Sequence, residues 1–430
     1  MSLPHSLFVK VAIICGVSSL ILGGTRLLAD FQGSTYLMPF DDAPLHYSTR
    51  TPQDVVAQLQ SRLEKGEAKL EHESEHGYLL SLLKQLQIPL SSQLLVFSKT
   101  SLQREWISPQ TPRAIYFNDD VYIGYIPGAP LIEISVADPK LGAIFYTIEQ
   151  EKTDAKVNVL TRSTQCLECH ASARSMGVPG HLVRTFQTDG RGFVDFSGGA
   201  QTVTHRMPLA DRFGGWYVTG THGAQSHKGN LFGAKAFDRH EKEPAHGGNI
   251  ADLKTFFKAD GYPSSHSDIV AHLVLSHQIH MHNFIARLNF ESQTRITRYG
   301  EVKYMDSMVD SFLQYLLFSE EAPLIAPIKG TSKFAEEFEA RGPKDKQGRS
   351  LRDFDLQTRL FKYPCSFLIY SEAFDALPPK LKEIIYTRLH DILTGKNNEK
   401  EFQNLTPETR RAILKILTET KTDLPENWKM

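Results

Sequence analysis

Cys166-Leu167-Glu168-Cys169-His170 is the stretch of this 430-residue chain whose residue types and spacing carry the most specific chemistry. Two thiols three positions apart, with an imidazole directly after the second, form the C-x-x-C-H pattern of covalent haem attachment. Each thiol can add across one of the two vinyl groups on a single edge of the porphyrin. The next residue is then swung under the macrocycle, where its imidazole nitrogen binds iron. Two other uses of a thiol pair compete. A redox-active dithiol belongs at the strand-to-helix junction of a βαβ unit, and the flanking sequence shows no such pattern. A structural zinc site wants a second ligand pair, and no other C-x-x-C or H-x-x-x-H stands nearby. The single motif therefore predicts one covalent haem c, held by Cys166 and Cys169, with His170 as the proximal iron ligand.

The sixth ligand decides what such a haem does. Met176, His181, His205, Met207, His222, His227 and His246 follow the motif, and a helix rich in histidine comes later, with His272, His277, His280, Met281 and His282. At 100° per residue, Val270, Leu273, Val274, Phe284, Ile285 and Leu288 make one apolar stripe on that helix. His277 falls at its centre, Met281 lies on it and His280 sits at its edge, so these three and His222 are the distal candidates. His272 and His282 point away from the stripe and are expected to face solvent. The competing account of His277 is a core histidine bonded to a carbonyl or hydroxyl, and that of Met281 is simple packing.

His222 lies in the block Phe213–Gly223, where Trp216 and Tyr217 could pack on a porphyrin face or form a glycine-punctuated hairpin with a core Trp. Arg174 and Arg184 could each neutralise a haem propionate or be ordinary surface cations. Cys365 reads as a buried structural thiol.

The elements around these residues follow from hydrophobic period. Residues 41–92 carry two helices. The first starts with Thr51 as cap and Pro52 at the first helical position, and the second, bearing Tyr78, Leu79, Leu82, Leu83 and Leu86, is stopped by Pro89. From 93 to 149 the period becomes 2, in short β-branched and aromatic runs separated by turn residues, which predicts an antiparallel meander of four or five strands. Residues 161–248 are Gly-, His- and Thr-rich with few periodic segments, which makes them the functional candidate region. Beyond 265 the chain reads as helical. Ser265-x-x-Asp268 opens a helix to about residue 290, and others follow near 302–318, 333–340, 379–395 and 407–420. Residues 340–353 read as a charged, solvated linker. The fold class is α+β: residues 30–150 hold the N-terminal helices and β-meander, 151–250 the irregular haem-bearing loop region, and 251–430 a mainly helical region.

Residues 1–29 differ from the rest. Lys10 and Arg26 bracket an apolar run of only fifteen residues, short of the roughly 20 that span a bilayer. They read as a secretory signal peptide with a poor cleavage site or, uncleaved, as an anchor in the inner membrane through residues 7–28. Either way the body is exported, periplasmic or extracytoplasmic, where c-type haem is attached. Lys and Arg total 48 against 49 Asp and Glu, a near-neutral balance that argues against nucleic-acid binding.

Several stretches are similar to uncharacterised bacterial cytochrome c-domain proteins: 96–126, CLECHASARSMGVPGHLVR at 166–184, RFGGWYVTGTHGAQ at 212–225, HQIHMHN at 277–283 and 359–379. The resemblance spans nearly the whole exported chain. It implies a monohaem protein with His170 on iron and assigns no substrate. Three functions stay open. One is electron transfer with redox partner proteins. The second is a haem-dependent oxidoreductase, peroxidase-like or acting on another small molecule, with an open distal site near His222 or His277/His280. The third is a haem-based sensor or docking subunit. The base-rate role of c-type haem puts electron transfer first.

Overall fold

The computed structural model describes residues 36–152, 159–245 and 247–428. The signal or anchor at 1–29 and His246 lie outside the described residues. The described residues belong to one compact unit. No helix among the described residues is long and apolar enough to cross a membrane.

The period-2 runs form consecutive antiparallel strands β1 (Leu94–Val96), β2 (Arg113–Phe117), β3 (Val121–Tyr125), β4 (Leu131–Asp138) and β5 (Gly142–Glu149). The turn chemistry is local. Asn118 Oδ1 accepts from the N–H groups of Asp120 and Val121, closing β2 onto β3, and Asp138 Oδ1 accepts from those of Lys140 and Leu141. Two short strands complete a seven-stranded sheet: β6 (Thr161–Arg162) pairs with β5 at one edge, and a later strand, Trp216–Tyr217, pairs with β1 at the other. Between them in sequence, β7 (Arg184–Thr188) and β8 (Val194–Thr202) form a separate two-stranded ribbon, so Trp216–Tyr217 is β9. The Gly-rich block is thus an edge strand with Trp216 and Tyr217 buried, rather than a hairpin.

Alternation along β4 and β5 gives the sheet two covered faces. Ile132, Ile134, Val136, Ile144 and Ile148 pack against Val56, Leu59 and Leu63 of α1 (Val55–Glu64) and Leu79, Leu82 and Leu83 of α2 (Leu79–Gln85). On the other face, Phe117 and Tyr122 join a larger core built around a long helix, Ile269–Tyr299. Two short helices precede it, α3 (Leu167–His170) and α4 (Ala234–Lys242), so the long helix is α5. Then come α6 (Asp306–Leu316), α7 (Phe334–Ala340), α8 (Glu372–Asp375), α9 (Pro379–Leu393) and α10 (Pro407–Thr420). The architecture is mixed α+β.

The caps of α1 and α5 fall later than the sequence suggests. Asp54, not Thr51, caps α1 by accepting from Val56 and Ala57 N–H, and its other oxygen takes the Tyr146 hydroxyl from the sheet. Asp268, not Ser265, caps α5, and its second oxygen accepts from Thr331 and Ser332. In each case a carboxylate that can also hold a distant element outcompetes the upstream hydroxyl. Thr406 caps α10 with Pro407 inside the first turn, as its sequence predicts.

Every residue of α5 from Ile269 to Ser292 is buried, so this helix has no solvent face. His272 and His282 are therefore not solvent-facing. Burial is tolerated because each polar ring finds a backbone partner: His272 Nε2 lies 2.9 Å from the Tyr217 carbonyl and His282 Nε2 2.8 Å from that of Asp119. Residues 340–353 are not simply a solvated linker either. Arg352 is buried, pairs with Asp119 and lies over the rings of Phe338 and Phe367.

Candidate functional site

β6 delivers the chain to the edge of the sheet beside β5, and the Ser163 N–H bonds the Phe145 carbonyl. One helical turn follows: the Cys166 carbonyl accepts from Cys169 N–H at 3.3 Å and from His170 N–H at 3.0 Å. Positions i, i+3 and i+4 of a turn share a face, so this local fold sets Cys166, Cys169 and His170 on one side of α3. Leu167 is turned instead against the sheet core and anchors the turn.

Both thiols are unpaired, Cys169 exposed and Cys166 half-buried with Sγ 3.8 Å from the Ser163 hydroxyl. Burial pushes the Cys166 thiol up, against the opposing Ser163 bond, so it rests as a neutral thiol rather than the thiolate of a dithiol redox centre. The surrounding sheet is antiparallel throughout.

His170 Nδ1 lies 2.9 Å from the Gly180 carbonyl. A carbonyl only accepts, so the ring proton sits on Nδ1 and Nε2 carries the lone pair. Nε2 has no hydrogen bond among the described residues. The ring leans on Phe145, with centroids 4.8 Å apart. Although the residue keeps some exposure, desolvation of its ring pushes it down to about 4, Arg113 and Arg184 act in the same sense, and the Gly180 bond opposes them. The imidazole is neutral at physiological pH, as a metal ligand must be.

The segment after the motif folds back on it. Gly180 N–H bonds the His170 carbonyl at 2.9 Å, and the Ser175 hydroxyl lies within bonding distance of the His170, Ser172 and Val178 carbonyls. The neighbouring sheet surface is charged. Arg113 and Glu133 form an ion pair at 2.6 Å, lying across Gly124, where any Cβ would collide with the guanidinium. Arg184 is half-buried with its guanidinium 4.7 Å over Phe186, while Arg174 is exposed.

The donor set fits haem: two free thiols and a neutral imidazole with its second nitrogen available, all on one turn. Among the described residues no three of His, Cys, Asp and Glu (Cys166, Cys169 and His170 included) are grouped to hold a metal ion directly.

Among the described residues, no hydrogen bond or ring contact joins the four distal candidates to residues 166–170. His277 Nε2 is 2.8 Å from the Ser366 hydroxyl and Nδ1 2.9 Å from His205 Nδ1, with the His277 and His205 rings stacked against Tyr315 and Phe318. It is the core histidine that the apolar stripe allowed for. His280 packs against Phe284 and Tyr315, and Met281 is wholly buried in the same core. His222 Nε2 accepts from Asn249 N–H near β9, its ring 4.7 Å from that of His227. Cys365 is fully buried, as expected.

The histidine that does approach the motif is His181, with Nδ1 2.6 Å from Ser135 Oγ and its ring beside Tyr122 and Phe145. His181 stands in the sequence among the residues that follow the motif, whereas Gly180, whose carbonyl fixes His170, has as its one sequence signal the Pro179-Gly180 pair. Comparison of the chain with family models, with curated proteins and with solved structures gives no match.

Proposed function

We propose that this chain is an exported monohaem c-type cytochrome that transfers single electrons between partner proteins. Cys166 and Cys169 would hold the haem as thioethers, each S–H adding across a vinyl C=C, and His170 Nε2 would ligate iron. The observation carrying this reading is the fixed tautomer of His170, whose Nδ1 is committed to the Gly180 carbonyl while Nε2 stays free beside two unpaired thiols. Haem held this way supplies a one-electron Fe(III)/Fe(II) couple.

The protein's own contributions are orientation and access. The Gly180 carbonyl holds the proton on Nδ1 and makes Nε2 a stronger donor. Phe145 limits rotation of the ring. Cys169 is exposed, so an attachment edge there would lie at the protein surface, where a redox partner could approach. Arg184 would supply positive charge for a propionate carboxylate, whereas Arg113 is already paired with Glu133.

A haem-dependent oxidoreductase is the second reading. The other contacts of His222, His277, His280 and Met281 favour an open sixth position, while the same placement takes His222, His277 and His280 away from the distal acid/base role that the sequence suggested for this reading.

Mass spectrometry of the natively exported protein tests attachment: one covalent haem is expected, and none in Cys166→Ala/Cys169→Ala. A wild-type protein without haem mass overturns both readings. Spectra with and without carbon monoxide separate them, since a low-spin form inert to the gas supports the carrier and a high-spin form that binds it supports the oxidoreductase.

A further inference from the structure

The stretch HQIHMHN on α5 looks in sequence like a source of iron ligands, yet its last residue touches the motif in another way. Asn283 is almost fully buried, and both ends of its amide are used on one residue: Oδ1 accepts from His181 N–H at 2.9 Å, and Nδ2 donates to the His181 carbonyl at 2.8 Å. The His181 N–H belongs to the same peptide group as the Gly180 carbonyl. That group is planar and trans, so its N–H and C=O point in opposite directions. One end meets Asn283 and the other meets His170 Nδ1.

We propose that Asn283 is a positioning residue for the proximal histidine, acting through the Gly180–His181 peptide. This deepens the haem reading and rests on it. Holding the N–H fixes the direction of the carbonyl and polarises it, which strengthens its bond to the imidazole.

Three further observations support the relay. A Cβ on Gly180 would come within 2.4 Å of Asn283 Oδ1 and 2.9 Å of Ser175 Cβ, so only glycine admits this approach. Arg287, one turn further along the same face of α5, donates to the Met176 carbonyl at 2.9 Å and ties down the other end of the returning segment. Arg287 is itself held by Glu291 at 2.6 Å, so the helix offers a rigid two-point mount.

The test separates the relay from the haem. In the full chain carrying Cys166→Ala/Cys169→Ala, which needs no cofactor, ¹⁵N NMR reports which His170 nitrogen bears the proton. Asn283→Leu is expected to lower the Nδ1–H to Nε2–H ratio roughly tenfold, the scale of one ordinary hydrogen bond. Gly180→Ala is expected to do the same, because it drives Asn283 off the peptide. Asn283→Asp, which keeps the acceptor for His181 N–H, should restore most of the ratio. Should Asn283→Leu not fold, Asn283→Ala carries the same test without adding atoms at Gly180.

With cysteines intact, Asn283→Leu should keep its covalent haem mass while its reduction potential rises, because a less basic imidazole stabilises Fe(III) less. An unchanged His170 tautomer in both Asn283→Leu and Gly180→Ala overturns the proposal, and so does an equal loss in Asn283→Asp. Absence of haem from the wild-type protein overturns the functional reading instead and leaves the tautomer result to decide the relay.

Discussion

Two histidine-bearing stretches, 166–181 and the α5 segment 272–282, look equally rich in ligands and fold to opposite ends. In the first, a single turn at the sheet edge leaves two thiols unpaired and commits only one nitrogen of His170. In the second, the histidines are enclosed by apolar and aromatic side chains. His277 is bonded through both nitrogens, to the Ser366 hydroxyl and to His205 Nδ1, and His272 and His282 through one each to backbone carbonyls. What separates a ligand from a structural imidazole is whether the second nitrogen is left free and reachable, which residue type and spacing do not report.

The largest effect that could break this comparison falls on His170. On the haem reading, His170→Ala keeps both thiols and with them covalent haem, but it removes the proximal nitrogen, and the ferric spectrum should change completely. His277→Ala should leave the spectrum of the haem protein as it was. Optical spectra of the two variants decide it, and a His277→Ala spectrum altered as much as that of His170→Ala would put the α5 histidines back on the iron.

Stability should show the reverse pattern. His277→Leu removes the middle of the chain Ser366–His277–His205 and strands the Ser366 hydroxyl and His205 Nδ1 in the core. Each stranded group costs about 1–3 kcal/mol, so a loss of about 3 kcal/mol is expected in urea unfolding. A loss below about 1 kcal/mol would mean that the network contributes little.

That opposition between legible types and illegible environments runs through the whole molecule. The five meander strands could be read because period-2 alternation and turn residues are local properties, and the α10 cap because Thr406 needs only its own helix. Asp54 and Asp268 could not be read as caps, since each is selected partly by a distant partner, Tyr146 in one case and Thr331 with Ser332 in the other. The C-x-x-C-H turn could be picked out because the attachment chemistry it suggests needs contiguous residues. The Gly180 carbonyl and Asn283 could not, because their roles arise only when α5 packs against a loop a hundred residues away in sequence.

The buried imidazoles also set a pH dependence. Burial holds His227, His272 and His280 down to about 3, and His205 and His277 well below the ordinary imidazole range. Below the ordinary imidazole value of 6.5 each binds fewer protons folded than unfolded, so stability falls as pH is lowered from there, down to about 3 for His227, His272 and His280. Glu321 and Asp120, both raised to about 7 by burial, act oppositely and favour the fold as pH drops from 7 to about 4.5. His170, His181, His222 and His282 are held down in the same sense and burial also raises Asp54, so nine imidazoles against three raised carboxylates give a net decline on acidification, visible as urea midpoints decreasing from pH 6.5 to pH 4.5. A midpoint that rises over that range would reverse the assignment of these histidines as neutral core residues.

The smallest effect is the sharpest probe of the α5 side. His280 is 4% exposed, and among the described residues neither ring nitrogen has a hydrogen-bond partner. It neighbours Tyr315 at 4.6 Å and Phe284 at 5.5 Å, a setting for an apolar side chain. His280→Leu removes the unpaired polar nitrogens, a gain of about 1–3 kcal/mol. It also removes ring contacts of about 0.5–1.5 kcal/mol. The gain wins, and the variant should be more stable by about 1 kcal/mol at pH 7. The margin should widen at pH 5, where the wild-type ring resists the proton that its unfolded form takes up. Thermal and urea unfolding at the two pH values measure both numbers, with the haem spectrum as the control that must not move. Destabilisation by His280→Leu, or a spectral change, would show that this imidazole has a partner of its own and belongs with His170 rather than with the core.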